Sequence, residues 1–405
     1  MSSPSGLLVL QVNSIATTRP QIWALLTQAL GDNDQCLALA EALDRPVAFK
    51  RLAWHVADTA EDRAITRALL ADTPQAGQWR EALGIHAPWP QMVICCGRRS
   101  DRIGFWIKRQ SRGYTKVVSI GRARRPVAWY DLLVAPPQFS LPERSNVVSL
   151  SLPMARRRHM AGRSGTEGAS PNGASVPVPK PWFTILLGGK VKQFAASEQR
   201  LIEAARRAQA AASRHGGSVV ISTSRRTPSA LIAAVERALD RPYVYRWSDP
   251  GAADNPYEVL LRDSGALFVT ADSASMILDC CASGTPTYVI EYPERLDLRR
   301  RWRRNLFRHL RRAVARCRDW GLDRAGDRLD RVQDWLHARR ILRYPRDLRR
   351  FHESVYGMGL ARPADAFDPA ILPRPHRPAG DLSEASGIRE AAARALALSR
   401  PVAAE

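Results

Sequence analysis

A chain of 405 residues, 45% hydrophobic and 25% charged, has the composition of a globular protein of two or three domains. That excludes the collagenous, disulfide-dense and wholly disordered classes, and no apolar run approaches the ~20 residues a membrane-spanning helix requires. Lys and Arg number 61 against 39 Asp and Glu, a formal net charge of +22, so the expected partner is anionic: nucleic acid, a phosphorylated small molecule or an acidic membrane surface.

The first 20 residues show neither a basic n-region nor a small-residue cleavage site, so no signal peptide is expected. Residues 22–26 (IWALL) read as a buried strand, and 31–43 as an amphipathic helix with Cys36, Leu39, Ala40 and Leu43 on one face. Strands are expected at 92–96 (MVICC), 116–120, 131–135 and 146–150. From 155 to 181 hydrophobic periodicity gives way to Gly, Ser, Pro and charge, which marks a linker. The pattern then restarts, with strands at 183–187, 218–222, 243–247, 267–270 and 287–290 alternating with helices at 198–214, 229–239 and from Ser273 onward. Such alternation predicts an α/β fold of two doubly wound Rossmann-like halves, 1–154 and 182–294, facing a cleft at the carboxyl ends of their strands.

Residues 295–350 break that rhythm with 20 Arg against 7 Asp. Trp302, Leu306, Leu310 and Val314 recur at helical spacing, as do Leu329, Val332 and Trp335 or Leu336, predicting a basic amphipathic hairpin with its Trp side chains in the core. Residues 351–370 follow as a separate segment, and 371–405 read as a loose tail with one helix near 386–399. Six cysteines with no CxxC spacing read as small buried hydrophobes in a reducing compartment, the cytoplasm. No cluster of His, Cys or carboxylates suggests a metal, and His352 reads as a packed surface histidine.

Five short constellations carry chemistry. In VTADSASMILDCCASGTP (269–286) a strand ends where Asp272, Ser273 and Ser275 crowd a helix start. Its amides suit a phosphate, with Asp279 one turn on, within reach of a ribose hydroxyl. ISTSRRTP (221–228) sets Arg225 and Arg226 after a strand, where a guanidinium can fork onto phosphate oxygens. Gly188-Gly189-Lys190 lets a ligand approach backbone amides. Trp247, ahead of Asp254-Asn255-Pro256-Tyr257, can stack on a base. In the first half, Gly31-Asp32-Asn33-Asp34-Gln35 offers Asp32 and Asp34 as general bases, and Gly97-Arg98-Arg99-Ser100 can bind anions. Taken alone, plain capping or core packing accounts for ISTSRRTP equally well and for the other four better.

Taken in order, the stretches WALLTQALGDNDQCLALAEAL (23–43), VICCGRRS (93–100), ILLGGK (185–190), STSRRTP (222–228), NPY (255–257), VTADSASM (269–276), GTPTYV (284–289) and FHESVYGMGLARP (351–363) resemble the mitochondrial-fission "elongated mitochondria" family. Its bacterial branch is described as GT-B glycosyltransferases. The resemblance implies a nucleotide-sugar held by the second half, with Gly188, Gly189, Ser224, Arg225, Arg226, Asn255, Tyr257, Asp272, Ser273, Ser275 and Met276 on the donor side. It places Asn33 and Gln35 on the acceptor side, and residues 351–363 as the helix returning toward the first half. The chain departs from the family in having Asp279-Cys280 for Glu-Ala, in having Asp32 and Asp34 where a basic His-containing loop is usual, and in the Arg-rich insertion.

The resemblance therefore implies a metal-independent glycosyltransferase without a cofactor, the nucleotide-sugar being substrate. The basic hairpin would rest on an anionic membrane surface near a lipopolysaccharide-core or glycolipid acceptor, on the inner face of the cytoplasmic membrane. The alternative is a non-catalytic adaptor that recruits a partner at a membrane. Nucleic-acid binding by the hairpin ranks last, because its Trp residues are assigned to the core.

Overall fold

The computed structural model of the chain describes residues 21–52, 66–154, 175–189, 193–247, 255–295, 298–339, 341–374, 382 and 386–399. Most of the expected linker, Lys190, Asp254 and part of the tail lie outside the described residues.

The first half holds β1 (Ile22–Leu26), α1 (Leu30–Ala42), β2 (Val47–Arg51), α2 (Pro74–Ala82), β3 (Met92–Cys96), α3 (Arg98–Gln110), β4 (Lys116–Ile120), β5 (Leu132–Ala135) and β6 (Val147–Ser149). The second holds β7 (Trp182–Leu187), α4 (Glu198–Arg214), β8 (Ser218–Thr223), α5 (Ser229–Ala238), β9 (Tyr243–Tyr245), α6 (Tyr257–Asp263), β10 (Ser264–Thr270), α7 (Ala274–Ser283) and β11 (Thr287–Ile290). A hairpin, α8 (Leu298–Asp319) and α9 (Asp323–Ala338), follows, then α10 (Leu348–Gly357), β12 (Arg362–Pro363) and α11 (Ile388–Leu398).

The strands form two six-stranded sheets, ordered β2-β1-β3-β4-β5-β6 and β12-β11-β10-β7-β8-β9. Every strand pair is parallel. Parallel strands covered on both faces must be apolar on both faces, and all five residues of β3 are buried. Ile94 and Cys96 face the core shared with α1 and α11, whereas Val93 and Cys95 face the one shared with α3 and the hairpin. Each sheet has one point where strand order reverses, between β1 and β3 and between β7 and β10. Connections there leave toward opposite faces and open a crevice at the carboxyl ends. The two halves are thus Rossmann-like and form the GT-B arrangement.

Several elements depart from the sequence reading. The edge strand β2 was not anticipated, since its residues are only half-buried or exposed. Nor were α2, started by Thr73, whose hydroxyl accepts from the Ala76 amide at 3.2 Å, and α3, whose polar sequence hides the buried Ile103, Gly104 and Ile107. The strand expected at 243–247 stops at Tyr245. The helix expected to return to the first half does not do so: Leu348, Phe351 and Val355 of α10 are buried in the second core. The crossing helix is α11, whose Ile388, Ala391 and Ala395 pack into the first core, so residues 371–405 are not simply a loose tail. His352 is buried rather than on the surface.

The hairpin's Trp side chains are not core either. Trp302, Trp320 and Trp335 are 60%, 74% and 51% exposed. The hairpin docks instead through Phe307, Leu306, Leu310 and Leu336, and through Asp330 and Asp334, which meet Arg144 of the first half at 3.0 and 2.6 Å. Arg318 adds a contact to Asp330 at 2.8 Å. Asp319, Asp323 and Asp327 stay exposed on the outer surface with Arg and Trp.

Candidate active site

At the second reversal point β7 runs into Gly188 and Gly189. The Gly188 amide donates to Thr270 Oγ1 at 2.8 Å, and the Gly189 amide to Asp272 Oδ2 at 2.7 Å. Both glycines are required by close approach: a Cβ on Gly188 would collide with the Asp272 carboxylate, and one on Gly189 would lie 2.9 Å from the Arg226 carbonyl oxygen. Thr227 joins the next loop to this one, since its hydroxyl lies 2.8 Å from the Leu187 and Gly188 carbonyls and accepts from the Ser224 amide at 2.8 Å. Arg225 and Arg226 are thereby held on the rim, both exposed.

Asp272 is buried, and that burial raises its carboxyl above the ordinary value; hydrogen bonds from Thr270 and Gly189 and the charge of Arg226 oppose the shift. Behind it, His352 Nε2 lies 3.0 Å from the Ala271 carbonyl, and burial pushes its imidazole down to about 4. The ring is therefore neutral and donates to that carbonyl. Ser273 precedes α7 without capping it: its hydroxyl meets Ser275 Oγ at 3.3 Å rather than an amide. That leaves the helix-start N–H groups without a side-chain cap, against the plain capping interpretation. Ser275 is exposed and Met276 half-buried beside it.

Farther out, the Tyr257 amide donates to Asn255 Oδ1 at 3.1 Å and the Tyr257 hydroxyl to Asp279 Oδ2 at 3.1 Å. Asp279 thus orients Tyr257. The Trp247 amide is fixed at 2.9 Å by Thr223 Oγ1, at the end of β8.

At the first reversal point the β1–α1 turn is closed by Asn33. Its Oδ1 accepts from the Thr27 amide at 2.8 Å and its Nδ2 donates to the Thr27 carbonyl at 2.6 Å. Asn33 therefore shapes the loop. Gln35 reaches the Gly31 carbonyl at 3.4 Å, and Asp34 is half-buried on the first turn. Asp32 lies at the same turn. It accepts a hydrogen bond from the Cys96 thiol, and burial raises its carboxyl against that bond and against the charges of Arg124 and Arg346. Gly97, at φ 88°, is where it is because any Cβ there would strike the Asp32 carboxylate.

The two reversal points meet. A Cβ on Gly31 would lie 3.6 Å from Ser275 Cβ across the cleft. A segment leaving the hairpin bridges them: Arg346 pairs its backbone with Phe139 of the first half, and the Asp347 amide donates to the Gln138 carbonyl at 2.8 Å. Gln193 of the second half binds Asp347 Oδ1 at 2.7 Å and the Leu348 amide at 2.9 Å. This places Arg346 in the field of Asp32, Asp272 and Arg226 together. Sequence reasoning missed Arg346 because it is one more arginine in an Arg-rich run. It also missed Arg102, Arg124 and Cys96, which share a cavity with Asp32. Only the position of Cys96 at the end of a strand hinted at its place.

The Arabidopsis thaliana mitochondrial fission protein ELM1 is 26% identical over 227 residues, covering 50% of this chain and 51% of that protein. An uncharacterized protein of Rickettsia prowazekii is 25% identical over 232 residues, covering 50% of this chain and 65% of its own length. The chain thus spans about half to two thirds of the length of these relatives. Among solved structures, Acinetobacter baumannii MurG aligns over 87% of this chain and 88% of its own, with 11% identity and a TM-score of 0.36. A Staphylococcus aureus MnaA–UDP structure aligns over 67% and 80%, with 10% identity and a TM-score of 0.41. Scores of that size set no residue correspondence. Residues 30–335, more than half of the chain, match the family described as Mitochondrial fission ELM1, and the chain belongs to that family.

Proposed function

We propose that the chain is a metal-independent glycosyltransferase. It would move a sugar from a nucleotide-sugar onto a membrane-proximal acceptor of the lipopolysaccharide-core or glycolipid type. The observation that carries the reading is the approach of two reversal-point crevices within one contact distance at Gly31 and Ser275. One crevice is lined with amides and Arg226, the other with the half-buried Asp32 carboxylate.

The donor diphosphate would lie against the Gly188–Gly189 turn and the start of α7, where helix amides favour anions. Asp32 takes the proton of the acceptor hydroxyl; its raised carboxyl makes it a stronger base than an ordinary aspartate. The acceptor oxygen bonds to the anomeric carbon as the bond to the leaving phosphate oxygen breaks. Arg226 and Arg346 meet the charge that develops on the departing nucleoside diphosphate.

The hairpin supports the membrane side of the proposal. Exposed Arg308, Arg312, Arg316, Arg324, Arg328 and Arg331 share the hairpin with the exposed Trp residues. Each such cation near an anionic leaflet contributes on the order of 1 kcal/mol, and Trp favours the interface. No helix among the described residues is long and apolar enough to cross a membrane. The same surface supports the second reading, an adaptor that docks a partner at a membrane and needs no working cleft.

Release of nucleoside diphosphate from nucleotide-sugars, with glycolipid-containing vesicles as acceptor, tests the choice. Asp32→Asn should lower the rate by about 10²–10⁴. Arg346→Gln removes a charge that lowers the Asp32 carboxyl, so the acid limb of the rate profile should move to higher pH. Turnover unaffected by both variants overturns this assignment; no turnover with any donor favours the adaptor.

A further inference from the structure

We infer that the membrane contact is wider than the hairpin: α3 and the turn Val127–Trp129, on the same face of the first half, rest on anionic lipid beside it. This deepens the membrane side of the proposed function and rests on that side alone, since a surface on lipid needs no working cleft.

The two layers that cover the first sheet differ on the outside. Helices α1 and α11 cover one face and expose no large apolar side chain among their described residues. The other face is covered by α3 and the hairpin, whose Ile103, Ile107 and Phe307 share one core with Val127. The exposed Trp side chains among the described residues are Trp129, Trp302, Trp320 and Trp335, and all four belong to this second layer. The second half exposes no Trp, Tyr or Phe among them. Apolar exposure gathered on one side of one half marks a contact surface.

The surface is continuous from α9 to α3. The Val127 amide donates to Asp334 Oδ1 at 2.9 Å, which ties the turn to α9 next to Trp335. Lys108 of α3 donates to the Trp129 carbonyl at 3.2 Å. The Arg125 guanidinium lies 4.6 Å from the Phe105 ring centre and 6.0 Å from that of Trp129. On α9, Arg339 lies 4.5 Å from the Trp335 ring centre. A guanidinium beside an exposed ring suits a bilayer interface, with the ring at headgroup level and the cation on lipid phosphate.

The chemistry of the layer selects lipid. Leu298, Leu322, Val332 and Ile341 are exposed in it as well. Aliphatic side chains gain nothing from stacked bases but are buried at the headgroup–acyl boundary. On the hairpin, exposed Asp319, Asp323 and Asp327 offset part of the Arg charge. The end of α3 adds exposed Arg109 and Arg112, while Asp131 is held by Lys108 at 2.6 Å. Helix α3 also begins at Arg98, straight after β3, and its 13 residues span about 20 Å. With this helix along the lipid, the Asp32 turn stays near the membrane plane, within reach of an acceptor anchored in the same leaflet.

Co-sedimentation of the full chain with vesicles of phosphatidylglycerol and phosphatidylcholine, against phosphatidylcholine alone, tests this. Arg109→Glu/Arg112→Glu should weaken binding to the anionic vesicles by at least about tenfold, and Trp129→Ala by about threefold. Arg237→Glu, on α5 of the second half, should change it by less than about twofold. Circular dichroism checks that each variant is folded, and Trp129→Ala keeps the test open should the double variant fail. Unchanged binding in both first-half variants, with loss in Trp320→Ala/Trp335→Ala, overturns the inference and leaves the hairpin as the whole contact. No binding by the wild type overturns it together with the membrane side of the proposed function. Single-stranded RNA bound in preference to the vesicles, and lost in the same variants, overturns lipid as the occupant. Turnover onto a detergent-solubilised acceptor should be unchanged in the first-half variants; its loss would assign these residues to the cleft and overturn the inference.

Discussion

Gly188 shows at one residue how the donor crevice is built. Its Cα lies so close to the Asp272 carboxylate that no side chain fits. Gly188→Ala should cost about 1–3 kcal/mol in unfolding by overpacking. It should also displace the carboxylate that fixes the Gly189 amide, so nucleotide binding falls more than stability does. Normal binding in a folded Gly188→Ala variant would contradict that geometry. His352 supports the same loop from behind. Its imidazole is held near 4 in the fold and titrates near 6.5 when unfolded. Between those values the unfolded chain binds a proton that the folded chain refuses, so stability falls as pH falls. From pH 7 to 5 the wild type should lose about 2 kcal/mol that His352→Asn does not. Denaturant melts at the two pH values check this, and equal losses in both proteins would refute it.

The hairpin makes the same case for whole elements. Its amphipathic period was legible, because Leu306 and Leu310 repeat at helical spacing and do face the core. Which aromatics join them was not, since Trp302 lies one turn from Leu306 and yet is exposed. Docking is settled by groups distant in sequence. The guanidinium of Arg144 lies between two carboxylates, its side chain 11% exposed. Removing one partner of such a buried network leaves uncompensated charge and costs about 3–5 kcal/mol. Arg144→Ala should therefore lift hydrogen-exchange protection from α8 and α9 while β1, β3 and β4 keep theirs. Unchanged protection in α9 would show that apolar packing alone holds the hairpin. Elements with continuous apolar runs, such as β3 and β7, were legible for the opposite reason: burial on both faces writes itself into sequence. The polar α3 and the edge strand β2 carry no such mark, and the crossing of α11 depends on a partner surface made by the first half.

At the scale of the molecule, alternation of strands and helices announced two Rossmann-like halves, and the glycine turns and Asp272 lay where such halves bind ligands. The facing of the two crevices was legible too, but Arg346 between them was not. Its place arises from how the segment after the hairpin is stitched to Gln138 and to Gln193. The exposed Trp and Arg surface predicts flotation with vesicles of anionic lipid but not of neutral lipid, with binding reduced in a Trp320→Ala/Trp335→Ala variant. Exposed Trp beside Arg equally suits nucleic acid, so binding of single-stranded RNA in preference to anionic vesicles would count against the membrane surface.

Thermal unfolding against UDP-, GDP-, ADP- and CMP-sugars tests the proposed nucleotide-sugar site at the β7–β10 crevice. A ligand at 100 times its dissociation constant adds about 2.7 kcal/mol. One nucleotide class should raise the melting temperature at physiological salt, and Arg226→Gln or Asp272→Asn should abolish the rise. A well-folded chain that responds to none of them, or a rise that survives both substitutions, would contradict the account.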